Sequence, residues 1–415
     1  MMEMKRYKLS EIGEVRMCKR ILKEETNSVG GVPFFKIGTF GGQADVFITK
    51  EKFKEYKNAY SYPKKGDILI SAAGTIGRTV VFDGKDAYFQ DSNIVWIEND
   101  ESKVLNEYLF YCYKNIRWTT SVGSTILRLY NDDIRNTDII VPHLSEQKKI
   151  SSVLSSLDDK IALNKKINAK LEAMAKRLYD YWFVQFDFPN EEGKPYKTSG
   201  GKMVWNEVLK REIPEGWEVK SINEVCDVID CLHSKKPNFC YEDEDSYLLS
   251  LENITKEGYI DISEKYYISK KDFSEWTSRI CVKENDFLFT NAGRAGDMGM
   301  IPNGIKCAIG RNITAVRSKK INPYYLRCFF KSLYMKEQIL NNLDKGCFFM
   351  SFNVRSIKQL SILIPKEENF HKFISFCEPI IKQLNKNNSE IQKLTNLRDR
   401  LLPLLMNGQV EVENI

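Results

Sequence analysis

The sequence predicts an α+β protein with two similar globular domains of mixed β-sheet and helix content, separated by two long antiparallel coiled-coil helices. Three observations predict it. The chain is internally duplicated at a spacing above 200 residues, too long for a solenoid repeat. Each copy is followed by an apolar stripe at a/d-type spacing. The composition, 42% hydrophobic and 28% charged, is that of a chain able to bury sizeable cores.

Three matched pairs carry the duplication. KKGDILISAAGTIGR at 64–78 matches KENDFLFTNAGRAGD at 283–297, an offset of 219. IRNTDIIVP at 134–142 matches IKQLSILIP at 357–365, an offset of 223. SEIGEV at 10–15 matches NEVCDV at 223–228, an offset of 213. The first pair reads as a β-rich apolar run entering a small-residue loop. Drifting offsets are what loop insertions produce. The chain therefore divides into a first domain at 1–142, a central helical spacer at 143–188, a linker plus second domain at 189–365, and a C-terminal helical spacer at 366–415. Residues 186–217 are rich in Gly, Pro and charge and read as the linker.

No Pro or Gly interrupts 143–188. Steps of four and three from Ile150 pass through Leu154, Leu157, Ile161, Asn164, Asn168, Leu171, Ala175, Leu178 and Trp182. The second stripe includes Ile380, Leu384, Asn387, Ile391, Leu394 and Leu401. Each helix would run for roughly 40 residues, or about 60 Å. The two stripes pair most simply with each other, which would set the domains at opposite ends of a rod. Asn164 and Asn387 hold equivalent places. They either fix register within the seam or sit hydrated at its edge. Pro379 is expected to break or kink the second helix, and Pro403 to end or bend it.

Much chemistry is missing. The chain has no Walker A pattern, no G-x-G-x-x-G after a strand and no amino-methyltransferase signature. Its three histidines, His143, His233 and His371, lie near no G-x-S-x-G elbow. The ten cysteines form no C-x-x-C pair, so no metal site is expected and free thiols of a cytoplasmic protein are. No apolar run reaches membrane-spanning length, so no membrane role is expected. Net charge is only +6, and residues 1–142 carry 21 Lys+Arg against 19 Asp+Glu. No segment is a basic tail, so any contact with nucleic acid must come from folded faces.

The chain resembles, across its whole length, the specificity subunit of Type I restriction–modification systems. The motifs are GDILISAAGTIGR at 66–78, GSTILRL at 123–129, IIVPHLSEQ at 139–147, IPEGWE at 213–218 and RLLPLLMNGQ at 400–409. Each alone is weak; their order around two helices is specific. The resemblance implies a non-catalytic, sequence-specific DNA-binding subunit with two target-recognition domains, each reading half of a split site on double-stranded DNA. It implies two methyltransferase subunits docked on this chain, with endonuclease/translocase subunits joining them. S-adenosylmethionine, ATP and Mg would belong to those partners, and this chain would hold no cofactor. Two other readings stay open: a nuclease or methyltransferase with an unrecognised active site, and a coiled-coil scaffold without a DNA role.

Arg reads guanine, and Asn or Gln reads adenine, in the major groove. Candidates for DNA contact in the first domain are Thr75, Arg78, Gln90, Ser92, Asn93, Ser124, Thr125 and Arg128. In the second they are Asn291, Arg294, Arg311, Asn312, Lys345 and Phe352. Asp297 stands where the first copy has the basic Arg78, and Arg294 is the expected substitute. Arg78→Ala is expected to weaken DNA binding without abolishing assembly.

Overall fold

The computed structural model describes residues 3–118, 128–232, 235–345 and 350–412. It divides into two compact units, Met1–Asp159 with Thr395–Ile415, and Lys160–Leu394.

The head of the first unit is built on a four-stranded antiparallel sheet. Its order is β2 (Gly13–Met17), β8 (Ile94–Asn99), β5 (Ile68–Ser71), β6 (Thr79–Val81). β5 is buried along its whole length because the sheet is covered on both faces. Side chains alternate along a strand. Ile68, Ile70, Val95 and Ile97 therefore enter one core, and Leu69, Ile94 and Trp96 enter the other. The first core is closed by α2 (Asn106–Asn115), α3 (Asn131–Arg135) and the spacer residues Ile150, Leu154, Leu405 and Met406. The second is closed by a small sheet of β4 (Phe47–Ile48), β3 (Val32–Phe35) and β7 (Tyr88–Phe89), with α1 (Lys50–Ala59). β1 (Lys5–Lys8) pairs antiparallel with β9 (Asp138–Val141), tying the start of the domain to its end.

The second head repeats this plan strand for strand. Its four-stranded sheet runs β13 (Cys226–Asp230), β19 (Ile313–Ser318), β16 (Phe287–Thr290), β17 (Met298–Met300). Its small sheet runs β15 (Tyr266–Tyr267), β14 (Tyr247–Leu249), β18 (Ala308–Ile309). β12 (Glu218–Ser221) pairs with β22 (Ser361–Ile364). Phe287, Phe289 and Val316 face one core, and Leu288, Ile313 and Ala315 the other. α6 (Lys270–Trp276), α7 (Pro323–Phe330) and α9 (Val354–Gln359) stand where α1, α2 and α3 do.

The spacers are α4 (Leu144–Tyr179) and α10 (Glu367–Met406). α10 is continuous through Pro379 and Pro403, against the expected break. Both prolines are exposed, and so are Ser375 and Asp399 one turn earlier. The carbonyls that lose an N–H partner therefore stay in water, which removes most of the cost of a mid-helix proline. The linker is more ordered than expected. It holds a hairpin of β10 (Met203–Asn206) and β11 (Arg211–Pro214), and Phe188 stacks between Tyr196 and Trp217 at 4.7 and 5.0 Å.

Within each unit the spacers meet antiparallel. In the first, Arg398 Nη1 donates to Asp158 Oδ1 at 2.7 Å. In the second, Asn164 Nδ2 donates to Glu390 Oε2 at 3.1 Å, Asn387 Nδ2 to Asn168 Oδ1 at 2.8 Å, and Asn168 Nδ2 to Asn388 Oδ1 at 2.8 Å. Asn164 and Asn387 are 4% and 3% exposed, so they lie inside the seam rather than hydrated at its edge. Leu154, Ile161 and Leu384 are buried; Leu157, Leu171, Leu178, Ile391, Leu394 and Leu401 are half-buried. Ile380 is half-buried too, and its neighbour Ile381 takes the core position.

Asn387→Ala leaves the buried Oδ1 of Asn168 without its donor. The expected loss is about 1–3 kcal/mol in urea unfolding. Replacing Asn168 and Asn387 together by Leu is expected to recover only part of that loss, because Asn388 Oδ1 then loses the donor it has in Asn168 Nδ2.

Candidate nucleic-acid interface

The β5–β6 connection is a tight loop held by its own backbone. Gly77 N donates to Ser71 O at 3.0 Å, Ser71 N to Arg78 O at 2.9 Å, and Arg78 N to Ser71 Oγ at 2.9 Å. Ser71 Oγ donates to Thr75 O. The β16–β17 loop repeats the pattern. Gly296 N donates to Thr290 O and Thr290 N to Asp297 O, both at 2.9 Å, while Thr290 Oγ1 donates to Arg294 O. Gly77 and Gly296 have φ of +78° and +88°, which a side chain adopts only at a cost. A Cβ on Gly77 would lie 2.3 Å from the Trp118 ring, and one on Gly296 2.6 Å from Ile339 Cγ2.

Each loop is joined at the sheet end by two further segments. In the first head, Ala72 N donates to Asn93 O and Leu129 N to Ala72 O, both at 2.8 Å. In the second, Asn291 N donates to Asn312 O and Phe352 N to Asn291 O, again at 2.8 Å. Thr75, Arg78, Ser92, Asn93 and Arg128, spread over 54 positions of sequence, are thereby brought to one end of one sheet. Arg128 Nη2 donates to Ser92 O at 3.1 Å, and Ser92 and Asn312 take left-handed conformations, with φ of +53° and +62°. Arg311 and Asn312 are exposed beside the second loop.

Several candidates are already engaged with their own chain. Arg78 Nη1 donates to Phe40 O at 2.9 Å. Arg294 Nη2 donates to Leu251 O at 2.7 Å and Ile254 O at 2.6 Å, and Arg294 Nη1 lies 3.5 Å from Asp297. Phe35 and Leu249 hold the same place in the two small sheets, each beside β7 or its counterpart. Five residues on, Phe40 and Ile254 correspond. Arg294 thus takes the place of Arg78 at this turn, from a different loop position: both clamp it, Arg294 half-buried and Arg78 with its side chain still exposed. Gln90 Oε1 accepts from Ile37 N at 3.0 Å and braces the same turn. Asn291 Oδ1 accepts from Thr314 Oγ1 at 2.9 Å. Phe352 is fully buried, 6.3 Å from Phe289 between ring centroids, so the expectation of DNA contact is corrected: its apolar ring is core. Lys345 lies in the short strand Asp344–Lys345. Ser124 and Thr125 lie outside the described residues.

The clamped turns, 36–39 and 250–253, were missed in the sequence. They share no motif with each other, and only the long-range arginine bonds reveal them. The motif residue Gln147 has a role that spacing did not suggest. It is fully buried, accepts from Leu105 N at 2.9 Å, and donates to Lys103 O and Pro142 O at 2.9 Å each, fastening the start of α4 to the head. Among the described residues no group of His, Cys, Asp or Glu is placed to hold a metal ion, and no helix is long and apolar enough to cross a membrane.

Comparisons with known proteins agree with this architecture. A profile of the Type I restriction modification DNA specificity domain matches residues 1–173 and again 214–396. A putative type I restriction enzyme specificity subunit of Haemophilus influenzae is 54% identical over 175 residues, 42% of this chain and 45% of that relative; the chain thus spans less than half of that relative's length. The MjaIX specificity subunit of Methanocaldococcus jannaschii is 26% identical over 98% of this chain and 94% of its own. The crystal structure of a Type-I restriction-modification system S subunit from M. genitalium shares the fold, with a TM-score of 0.61 at 14% identity, over 100% of this chain and 97% of that one. With two profile matches falling on two heads of one plan, the chain belongs to the family of Type I restriction–modification specificity subunits, the non-catalytic, DNA-binding members of those systems.

Proposed function

We propose that the chain reads a split site on double-stranded DNA, one half with each head, and docks two methyltransferase subunits together with endonuclease/translocase subunits. The observation that carries this reading is the repeated loop frame. Two loops pinned by the same backbone and hydroxyl bonds at Ser71 and Thr290 sit on two copies of one sheet, while the side chains around them differ. One frame with two sets of contacts is what two different half-sites require. The chemistry, with S-adenosylmethionine, ATP and Mg, then resides on the partners, and the cytoplasm is the compartment where they and DNA meet. A 36-residue α4 and a 40-residue α10 are each long enough to exceed a DNA helical turn of about 34–36 Å, which supports a gap of unread bases between halves.

The test is single-molecule mapping of modified bases in the source genome, with and without this chain. The expected result is a bipartite motif that vanishes with the chain; a methylation pattern indifferent to it would refute the reading. Arg311→Ala should weaken binding of the assembled complex by about 5–150-fold if Arg311 reads a base. If it contacts phosphate, the loss should be uniform across sequences and the salt slope should fall by about 1.

A further inference from the structure

Beside the clamped turn of the second head lies a pocket of about 160 Å³, walled by Trp276, Ser250, Glu252, Gly310, Arg311 and Lys236. The first head fills the matching place. Gln90 N donates to Phe35 O at 2.9 Å, and Gly310 N donates to Leu249 O at 2.7 Å, so the two positions correspond. Gln90 lays its amide over the turn and bonds Ile37 N. Gly310 leaves that space open, and a Cβ there would stand 2.8 Å from Leu249 O. No side chain among the described residues takes the place of the Gln90 amide at Leu251 N.

Glu252 stands at the tip of this turn, where the first head has Gly38. Its carboxylate is exposed and makes no ion pair among the described residues. Ser250 and the turn's own backbone N–H hold the carboxyl below the usual glutamate range, with Lys236 and Arg294 adding to it. The carboxylate is thus an ionised acceptor with unused capacity. Its turn adjoins the β16–β17 loop through the two Arg294 bonds to Leu251 O and Ile254 O. Lys236 and Arg311 bracket it with positive charge, as a phosphate-lined groove would need.

Resting on the reading of a split DNA site, we propose that Glu252 is a base-reading residue of the second head, accepting a hydrogen bond from an exocyclic amino group of cytosine or adenine in the major groove. A carboxylate accepts from cytosine N4 and rejects the carbonyl oxygens of guanine and thymine. The first head, with Gly38 and a bound Gln90 at the same places, offers no acceptor of this kind, so the two heads would differ in half-site at this point.

The experiment uses the full chain assembled with its modification partners. Bases of the second head's half-site are replaced one at a time by analogues without the amino group, purine for adenine and 2-pyrimidinone for cytosine. At one position, parent binding is expected to fall about 5–150-fold, and the E252A complex is expected to be indifferent to the same replacement. Which analogue acts identifies the base. In cells, E252A should accept any base at that position and raise the number of modified sites about fourfold, with the other half-site unchanged. Should E252A unfold, the isosteric E252Q carries the test, because its amide can also donate and must shift preference at the same position. A motif identical in both variants, with analogue sensitivity retained, overturns the assignment while leaving the split-site reading intact. A motif independent of the whole chain refutes that reading instead.

Discussion

Glu172→Ala is expected to lower the stability of the second unit by about 3–5 kcal/mol, the range for removing one partner of a buried ion pair. Glu172 projects from α4 against α7. Its Oε1 accepts from Tyr259 Oη at 2.6 Å and lies 3.0 Å from Lys331 Nζ, and Arg327 Nη2 donates to the same oxygen. Arg327 is 1% exposed, so without Glu172 its guanidinium is left charged in a dry site. Calorimetry of the purified chain would show the loss. Glu172→Met with Arg327→Met is expected to recover part of it, since the fully buried charge is then gone while Lys331, half-buried, keeps its bond to Glu257 O. A variant as stable as the parent would mean that water reaches Arg327.

The same carboxylate sets an acid limit. Burial pushes its pKa up, but the charges of Arg327 and Lys331 and the bonds from Tyr259 and Arg327 more than offset this, and the net value lies below the usual glutamate range. A group whose folded pKa is depressed contributes stability that is fully present above its unfolded pKa and lost as pH falls through the folded one. Asp158 in the first unit behaves alike: burial raises it, and Arg398, Lys114 and Tyr111 bring it below the ordinary aspartate value. Unfolding midpoints should therefore be flat near neutrality and decline below about pH 4, the ordinary carboxylate range. In Glu172→Gln the second unit should lose part of that decline.

Gly77→Val and Gly296→Val are expected to disable one loop each. A left-handed backbone costs a β-branched residue about 1–3 kcal/mol. The new Cβ would also press on the Trp118 ring or on Ile339, adding about 1–3 kcal/mol of overpacking. The loops cannot relax by sliding, because Ser71 and Thr290 pin both ends through backbone and hydroxyl bonds. Each variant should lose modification of its split site, while hydrogen exchange shows the untouched head unchanged. By contrast, Gly74 and Gly293 have open space around an added Cβ, with contacts no closer than 3.6 and 4.0 Å. Alanine there should cost only the φ strain. Equal effects at both glycines of a loop would refute the packing argument.

Local pattern alone determined the duplicated plan, the two helical stripes and the loop motif. Those features depend on strand and helix periodicity, which is written in consecutive residues. The run GDILIS is unbroken because both faces of its sheet are covered, and the offsets of 213, 219 and 223 reappear between matched strands such as Lys5–Lys8 with Glu218–Ser221, Ile68–Ser71 with Phe287–Thr290, and Asp138–Val141 with Ser361–Ile364. Tertiary structure alone decided which candidates face outward. Arg78 and Arg294 stood in the sequence as candidates for DNA contact; the fold adds that each clamps a turn about 40 residues away in sequence, Arg78 while staying exposed and Arg294 half-buried. Phe352 stood among the candidates for DNA contact and is core. Gly38, Glu252 and Gly310 carried no signal at all, because what matters about them is the space and charge that distant segments leave around them. A carbonyl can be satisfied by any donor the fold brings near, and no periodicity records which donor that will be.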